Sequence, residues 1–177
     1  MKFIKTTLKD AYVIEIEPIC DQRGFFARSF CKKEFIKRNL NPDICQCNIS
    51  YSQKAGTLRG MHFQKPPYEE TKLVSCIKGA IYDVIIDLRK DSETYCQWFA
   101  QELTQENHKM MYVPKGFAHG FQALKDDTII SYKVGEFYNP EYEAGVRWDD
   151  SAFSIIWPEC ENRTISEKDS IYSNYER

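Results

Sequence analysis

Apolar and polar residues alternate at every second position in many short segments of this chain. Successive side chains of a β-strand point to opposite faces, so a two-residue period predicts strands rather than helices. The segments with this period are 12–18, 46–52, 72–77, 80–88, 109–114 and 127–134. Turn residues separate the segments, and Lys78–Gly79 between two of them predicts a tight hairpin.

Helical signals are few. The segment 32–40 has helical character and stops before an Asn-Pro pair. A second short helix is expected near Thr164, because Thr164 and Glu167 have the spacing of a capping box. Many short strands with few helices predict an all-β fold, either an antiparallel barrel or a sandwich of the jelly-roll type. With 177 residues, the chain is expected to form a single domain over residues 1–177.

The charge balance narrows the classes of partner. The chain has 24 Lys and Arg against 26 Asp and Glu, a formal net charge of −2. Without a basic surplus, a general nucleic-acid binder is not expected, although a local basic pocket for one small anion remains possible. The sequence contains no long apolar run, so no membrane association is expected. A charged N-terminus and seven scattered cysteines predict reduced thiols and a cytoplasmic location.

Two of the three histidines lie in similar surroundings. His62 is in TLRGMHFQ (57–64) and His119 is in PKGFAHGF (114–121), and both segments are predicted strands bounded by Gly, Pro or basic residues. Histidine exchanges protons near neutral pH, and Arg59 beside these segments is suited to an anion. Proton chemistry on an anionic substrate is one interpretation. Two structural histidines of the core are the other.

Strand alternation also predicts which side chains point inward. His119 shares a face with two phenylalanines, and Tyr132 shares a face with apolar residues. Asp83 lies in a strand otherwise made of Ile, Val and Leu, where an unpaired charge would be very costly. Lys72 or a histidine is the expected partner of Asp83. A purely structural ion pair is as compatible with this pattern as a functional one.

Several longer segments together resemble one enzyme family. TLRGMHFQ, ETKLVSCIKGAIYDVIIDLR, YVPKGFAHGF, SYKVGEFYNPEYEAGVRWDD, IIWP and SEKD occur in the order and spacing of dTDP-4-dehydrorhamnose 3,5-epimerases, as does DQRGFFARSF near the N-terminus. The resemblance implies a double-stranded β-helix, or jelly-roll (cupin-like) barrel. It also implies a homodimer that epimerises carbon 3, carbon 5 or both of a nucleotide-diphosphate 4-keto-6-deoxy sugar, without a cofactor, for surface polysaccharide synthesis.

The resemblance also implies roles for individual residues. His62 is similar to the general base, Asp169 to the carboxylate that orients it, and Tyr132 to the acid that reprotonates carbon from the opposite face. Lys72 and His119 correspond to groups near the ketone oxygen. The positions that match contacts to nucleotide, diphosphate or sugar are Arg23, Phe26, Arg28, Gln46, Asn48, Arg59, Tyr138, Glu143 and Lys168.

These roles agree with the chemistry that an epimerase needs. A proton beside a ketone can be removed only if the resulting enolate is stabilised, which a fixed cation such as Lys72 provides. A carboxylate on the far nitrogen of a histidine selects the tautomer of the base and stabilises the imidazolium. Inversion requires a second acid on the other side of the sugar, and a tyrosine is protonated at neutral pH.

No metal site is expected around His62. Metal-binding cupins typically carry a His-x-His pair followed by Glu, whereas Phe63 and Gln64 follow His62 here. With His62 and His119 alone, the site lacks enough nitrogen ligands for a stable metal.

Arg28 departs from the family pattern. The family carries an acid at this position of the FFARSF segment, so Arg28 reverses the local charge. A guanidinium can meet a diphosphate oxygen or a guanine carbonyl. Arg28 therefore predicts a GDP- or CDP-linked sugar, or a heptose, in place of the dTDP-linked hexose. An arginine that simply points into solvent is the alternative.

Three rival functions remain open from the sequence. A cupin 3,4-ketoisomerase would move the carbonyl rather than invert a centre. A metal-dependent cupin oxygenase or isomerase would need the missing His-x-His pair. A non-catalytic nucleotide-sugar-binding module would have no use for the base, the orienting acid and the phenol, and all three residue types are present.

Overall fold

Strands dominate residues 1–176, the part of the chain that the computed structural model describes; Arg177, the last residue of the predicted domain, lies outside the described residues. In chain order the elements are β1 Lys2–Lys5, β2 Tyr12–Glu15, β3 Ile19–Asp21, β4 Gly24–Phe26, α1 Lys32–Ile36, β5 Gln46–Ser52, β6 Leu58–Gln64, β7 Lys72–Lys78, β8 Ala80–Asp87, β9 Trp98–Thr104, β10 Lys109–Val113, β11 Phe117–Ala123, β12 Thr128–Val134, β13 Glu143–Gly145 and α2 Glu167–Ser170.

Two antiparallel sheets form the body of the fold. One has the order β1-β2-β10-β7-β12-β5 and the other has the order β13-β6-β11-β8-β9, while β3 and β4 make a separate hairpin. Neighbours in each sheet are mostly distant in sequence, as in a jelly roll. The predicted all-β, cupin-like jelly roll with a few short helices is confirmed.

The main core lies between the two sheets. Its buried side chains come from both of them, for example Val74 and Ile130 from one sheet and Ile85 and Phe121 from the other. Two further apolar layers cover outer faces. Residues beyond β13, such as Trp157, pack on the five-stranded sheet, and α1 packs on part of the six-stranded sheet.

The strand predictions hold best where alternation is strict. The segment 46–52 coincides with β5, and the five other predicted segments each contain a strand. The segment 12–18 is too long, because β2 ends at Glu15 before Pro18, which cannot donate a ladder hydrogen bond. The predicted hairpin at Lys78–Gly79 is wrong. β7 and β8 belong to different sheets, and Gly79, with a φ of +80°, makes a corner between them.

Both helices differ from their predicted bounds. α1 ends at Ile36 rather than at residue 40, because the next turn closes in a Schellman arrangement with Asn39 at a φ of 56°. Its two bonds run from the Asn39 and Leu40 N–H groups to the Ile36 and Phe35 carbonyls.

The capping box at Thr164 is also wrong. The cap of α2 is Ser166, whose hydroxyl accepts from the Asp169 N–H, while Thr164 pairs with Thr57 in an isolated bridge.

The seven cysteines are free thiols. Neither helix within residues 1–176 has the length and apolar character to cross a membrane.

Candidate active site

Strands β6 and β11 bring the two predicted histidines together. His62 and His119 are directly paired in the antiparallel register. The register then shifts at Gly60 and Gly120, where the two backbones approach closely. A Cβ on Gly60, which has a φ of +120°, would lie 2.6 Å from the Gly120 Cα, so only glycine fits this position. The close approach also leaves the Gly60 N–H free of the ladder and available to a side chain.

Asp169 accepts hydrogen bonds from two groups of β6, the His62 ring and the Gly60 N–H. Its Oδ1 lies 2.7 Å from His62 Nε2 and its Oδ2 accepts from the Gly60 N–H at 3.0 Å. Burial would raise the pKa of Asp169, but the bonds from His62 and Gly60 hold it below its usual value. Asp169 is therefore a carboxylate, and its bond to Nε2 leaves Nδ1 of His62 as the nitrogen that can take a proton.

His119 has its own carboxylate. His119 Nε2 lies 2.7 Å from Asp83 Oδ1 on the neighbouring strand β8. Of the two partners that the sequence left open for Asp83, the structure selects the histidine. The other Asp83 oxygen is buried and has no hydrogen-bond partner among the described residues.

Lys72 approaches the same region from the six-stranded sheet. Its Nζ lies 3.0 Å from Glu70 Oε1 and 3.5 Å from the His62 carbonyl oxygen. Tyr132 on β12 packs against the main core. Burial raises the pKa of Tyr132, the Glu70 charge raises it further, and Arg59 partly opposes both, so the phenol is protonated at neutral pH.

Two adjoining cavities share His62, Lys72 and Tyr132. The larger has a volume of about 520 Å³ and the smaller about 310 Å³. Cavities of this size suit a small-molecule ligand. Of the other predicted site residues, the larger cavity is lined by Arg59, His119, Lys168 and Asp169, and the smaller by Gln46, Asn48, Tyr138 and Glu143.

Three of these residues form a network at the rim of the smaller cavity. Glu143 accepts from the Tyr138 hydroxyl at 2.9 Å and pairs with Lys168 Nζ at 2.5 Å. The bond to Glu143 raises the pKa of Tyr138. Burial would raise the pKa of Glu143, but Lys168 and Tyr138 hold it below its usual value. Glu143 is therefore charged. It connects Lys168 of the C-terminal segment to Tyr138 in the loop before β13.

The structure does not bring Arg23, Phe26 and Arg28 to these cavities. All three are exposed on or just beyond the β3–β4 hairpin. Arg23 pairs with Asp21 of the same hairpin, and Arg28 lies in a separate shallow cavity beside Phe26. Within one chain, these predicted contacts are thus remote from His62.

Sequence reasoning missed three residues of the site. Two of them are Glu70, which pairs with Lys72, and Tyr172, whose ring packs edge-on to His62 at 6.2 Å. Ser166 could have been found, because Ser-x-x-Asp at 166–169 has the spacing of an N-terminal cap.

The donor set does not favour a metal. Among residues 1–176 there is no group of three or more His, Cys, Asp or Glu side chains placed to hold an ion. Nε2 of each site histidine is already bonded to a carboxylate. The arrangement combines a base, a fixed cation and a phenol around one cavity, which suits removal and return of a proton beside a carbonyl.

Comparison with known proteins gives one consistent result. The sequence model of the dTDP-4-dehydrorhamnose 3,5-epimerase family matches residues 5–176. The enzyme of that name from Sinorhizobium fredii is 44% identical over 170 residues, which cover 96% of this chain and 87% of the relative.

Two crystal structures of dTDP-4-dehydrorhamnose 3,5-epimerases are also very similar. The one from Elizabethkingia anophelis has a TM-score of 0.96 and 44% identity, covering 99% of this chain and 96% of that one. The one from Bacillus anthracis, with TDP and PPi bound, has a TM-score of 0.94 and 45% identity, covering 98% and 99%. The chain therefore belongs to the dTDP-4-dehydrorhamnose 3,5-epimerase family and is an isomerase of the epimerase class.

Proposed function

We propose that this protein inverts carbons 3 and 5 of dTDP-4-keto-6-deoxyglucose to form dTDP-4-dehydrorhamnose. The observation that carries the proposal is the His62–Asp169 pair in a cavity shared with Lys72 and Tyr132. Each inversion begins when neutral His62 removes a proton from the carbon beside the ketone. Asp169 stabilises the imidazolium that forms, because its negative charge is 2.7 Å away.

The electrons left on carbon move into the ketone, whose oxygen becomes an enolate. Lys72 and His119 are the donors assigned to this oxygen, since both line the larger cavity with His62. Tyr132 then gives its proton to carbon from the other side. His62 is on the five-stranded sheet and Tyr132 is on the six-stranded sheet, an arrangement that supports delivery to opposite faces of a sugar held between them.

We infer that the reaction needs no metal. The support is the ligand chemistry of the site, in which two histidines are each committed to a carboxylate and no His-x-His pair exists. Full activity is expected after exhaustive chelation. Activity that disappears with the chelator and returns with one divalent ion would contradict this inference.

The dTDP nucleotide is proposed from the relatives. The Bacillus anthracis enzyme was crystallised with TDP, and the Sinorhizobium fredii enzyme is named for a dTDP sugar. Arg28 remains the reason to test other nucleotides, because it is exposed and, within residues 1–176, has no ion-pair partner of its own. A GDP- or CDP-linked sugar is a prediction of the sequence that comparison of the three nucleotides tests, and a heptose stays a prediction.

One experiment tests reaction and substrate together. The purified protein is incubated in D₂O with dTDP-, GDP- and CDP-linked 4-keto-6-deoxy sugars, and products are analysed by NMR. Deuterium at carbons 3 and 5 of the dTDP sugar, with inverted configuration, is expected. A carbonyl that moves to carbon 3 would identify a ketoisomerase. If a GDP or CDP sugar has the higher kcat/KM and Arg28→Glu restores the dTDP preference, Arg28 sets the nucleotide.

We further propose a homodimer in which the β3–β4 hairpin of one chain reaches the site of the other. Two observations support it. The outer face of β5 exposes Ile49 and Tyr51, and the hairpin exposes Phe26. Apolar side chains grouped in this way are typical of an interface. A second copy would also explain why Arg23 and Arg28 match nucleotide contacts while lying outside the cavities of their own chain.

Mixing two inactive variants tests this arrangement. In a mixed dimer of His62→Ala and Arg23→Ala, one site combines an intact His62 with an intact hairpin. About a quarter of wild-type activity is expected after subunit exchange, because half of the dimers are mixed and each has one complete site. No recovery, with mixed dimers verified by mass, would mean that each hairpin serves its own chain.

The proposed setting of the reaction is the cytoplasm, where the product would be a deoxy sugar for surface polysaccharide.

A further inference from the structure

Glu70 is a largely buried charge at the site, and the reaction described above gives it no role. It pairs with Lys72 at 3.0 Å, and only 13% of the Glu70 side chain and 9% of the Lys72 side chain are exposed. An ion pair so far removed from water is strongly destabilised when one partner is lost. The Glu70–Lys72 pair also has few alternative side-chain conformations, so the ammonium of Lys72 is held in one place.

The contacts of Lys72 leave one donor free. An ammonium has three N–H groups. One donates to Glu70 Oε1, 3.0 Å from Nζ, and a second donates to the His62 carbonyl oxygen, 3.5 Å from Nζ. We propose that Glu70 is a positioning residue that fixes the Lys72 ammonium so that its third N–H faces the substrate ketone. This inference rests on the proposed epimerase reaction.

Glu70 also adds negative charge beside the phenol. The ionisable groups that line the smaller cavity with Glu70 are His62, Lys72, Tyr132, Tyr138 and Glu143. Arg59 acts on Tyr132 from β6, and Lys168 is paired with Glu143 from α2. After burial, the Glu70 charge is the largest influence that raises the pKa of Tyr132. Glu70 therefore favours the protonated phenol in addition to burial, while it holds the ammonium that stabilises the enolate.

The neighbouring residue provides a matched control. Glu69 lines a different cavity, together with Arg89 and Lys115. Its Oε1 lies 3.3 Å from the position a Cβ on Gly116 would take, and this cavity is not lined by Tyr132 or Lys72. Substitution of Glu69 removes the same charge one residue away without touching the Lys72 ammonium.

The test compares Glu70→Ala, Glu70→Gln and Glu69→Ala in the full chain. For Glu70→Ala, kcat is expected to fall at least about tenfold with little change in KM, because the ammonium acts on the enolate rather than on bound substrate. Glu70→Gln keeps an oxygen that accepts from Lys72 and is expected to recover kcat to within about threefold. Glu69→Ala is expected to match wild type.

A second measurement reports on the charge and does not need turnover. With tyrosine labelled at the ζ carbon, the Tyr132 resonance is identified by its absence in Tyr132→Phe and titrated. In Glu70→Gln the Tyr132 midpoint is expected at lower pH than in wild type, and the alkaline limb of kcat/KM should move the same way. Glu69→Ala should move neither.

The outcomes separate this inference from the proposed function. A wild-type protein without epimerase activity overturns the function, while the tyrosine titration still tests the charge effect. An active wild type whose kcat is unchanged by Glu70→Ala overturns the positioning role, as does an equal loss in Glu69→Ala. If Glu70→Ala does not fold, Glu70→Gln decides instead: a loss of kcat of about tenfold or more overturns the role of the accepting oxygen, and an unmoved Tyr132 midpoint overturns the charge effect.

Discussion

The two histidine–carboxylate pairs of this protein have the same length and different surroundings. His62–Asp169 and His119–Asp83 are both 2.7 Å apart. The His62 side chain is 35% exposed, whereas that of His119 is 8% exposed and Asp83 is fully buried. The pairs lie side by side because the two histidines are register partners on β6 and β11.

Access and support, rather than pair geometry, are therefore what distinguish the proposed base from the proposed fixed donor. Asp169 is held by the Gly60 N–H and by its place in a helix capped by Ser166. Its histidine faces the cavity and can exchange a proton with a ligand. Asp83 and His119 are held on neighbouring strands of one sheet, and His119 lines the cavity with a side chain that is only 8% exposed.

Removal of the exposed histidine should have the largest effect. His62→Ala or His62→Asn is expected to reduce solvent-deuterium incorporation beside the ketone by at least about a hundredfold, the usual value of a positioned base. His119→Asn, the matched change in the buried pair, should lose about tenfold in kcat and still exchange deuterium. NMR in D₂O measures both. Near wild-type exchange in the His62 variants would rule out His62 as the base.

Removal of the orienting charge of Asp169 should have a severe effect on catalysis, but a milder one than the loss of His62. Asp169→Asn is expected to lower kcat by roughly tenfold to a hundredfold, because the base remains while its tautomer and imidazolium lose support. KM for the dTDP sugar should change little. A kcat equal to that of wild type would mean that His62 works without its carboxylate.

Asp169 should also affect acid stability. Its pKa is lower in the folded chain than its usual value. A depressed carboxylate pKa adds stability that is present above about pH 4 and is lost as the pH falls through the folded pKa. Below about pH 4, the free energy of unfolding of wild type should therefore fall more steeply than that of Asp169→Asn. Denaturant melts across this range measure the difference, and parallel curves would contradict it.

Substitution of Asp83 in the buried pair should lower the stability of the protein more than it lowers kcat. Asp83→Asn is expected to lower the free energy of unfolding by about 1–3 kcal/mol, because a charge-assisted bond to His119 is lost in a dry site. Its loss in kcat should be smaller than that of Asp169→Asn. Urea unfolding measures the stability of Asp83→Asn, and steady-state kinetics compares its kcat with that of Asp169→Asn. The opposite order of kcat losses would assign the main catalytic pair to β8 and β11.

The smallest expected effect concerns the ring that packs on His62. Tyr172 lies against Gly145, where a Cβ would be 2.3 Å from the ring, and among the residues described its buried hydroxyl has no hydrogen-bond partner. Tyr172→Phe should change stability by less than about 1 kcal/mol, since no bond is lost. Tyr172→Ala should lower kcat a few fold by loosening His62. Thermal unfolding and kcat measure both variants, and an equal effect of the two would contradict this packing role.

Strand alternation allowed much of the fold to be predicted, and the failures have local causes. The segment 46–52 coincides with β5 because its alternation is strict. Lys78–Gly79 has the residues of a hairpin, yet the chain passes there from one sheet to the other. Turn residues specify how sharply a chain bends. Which strand the next segment pairs with depends on the packing of both sheets.

The sequence by itself determined the strand pattern, the inward direction of His119 and Tyr132, and the family. Only the tertiary structure decided that Asp83 pairs with His119 rather than with Lys72, and only it brought Asp169 into contact with His62. Asp169 is 107 residues from His62, and Asp83 is 36 residues from His119. Periodicity specifies the face of a side chain within its own strand, whereas contacts across such distances depend on strand order and register. Glu70 precedes Lys72 by only two residues, so their pairing is local; it was the assembly of the two sheets that placed this pair in a cavity with His62 and Tyr132.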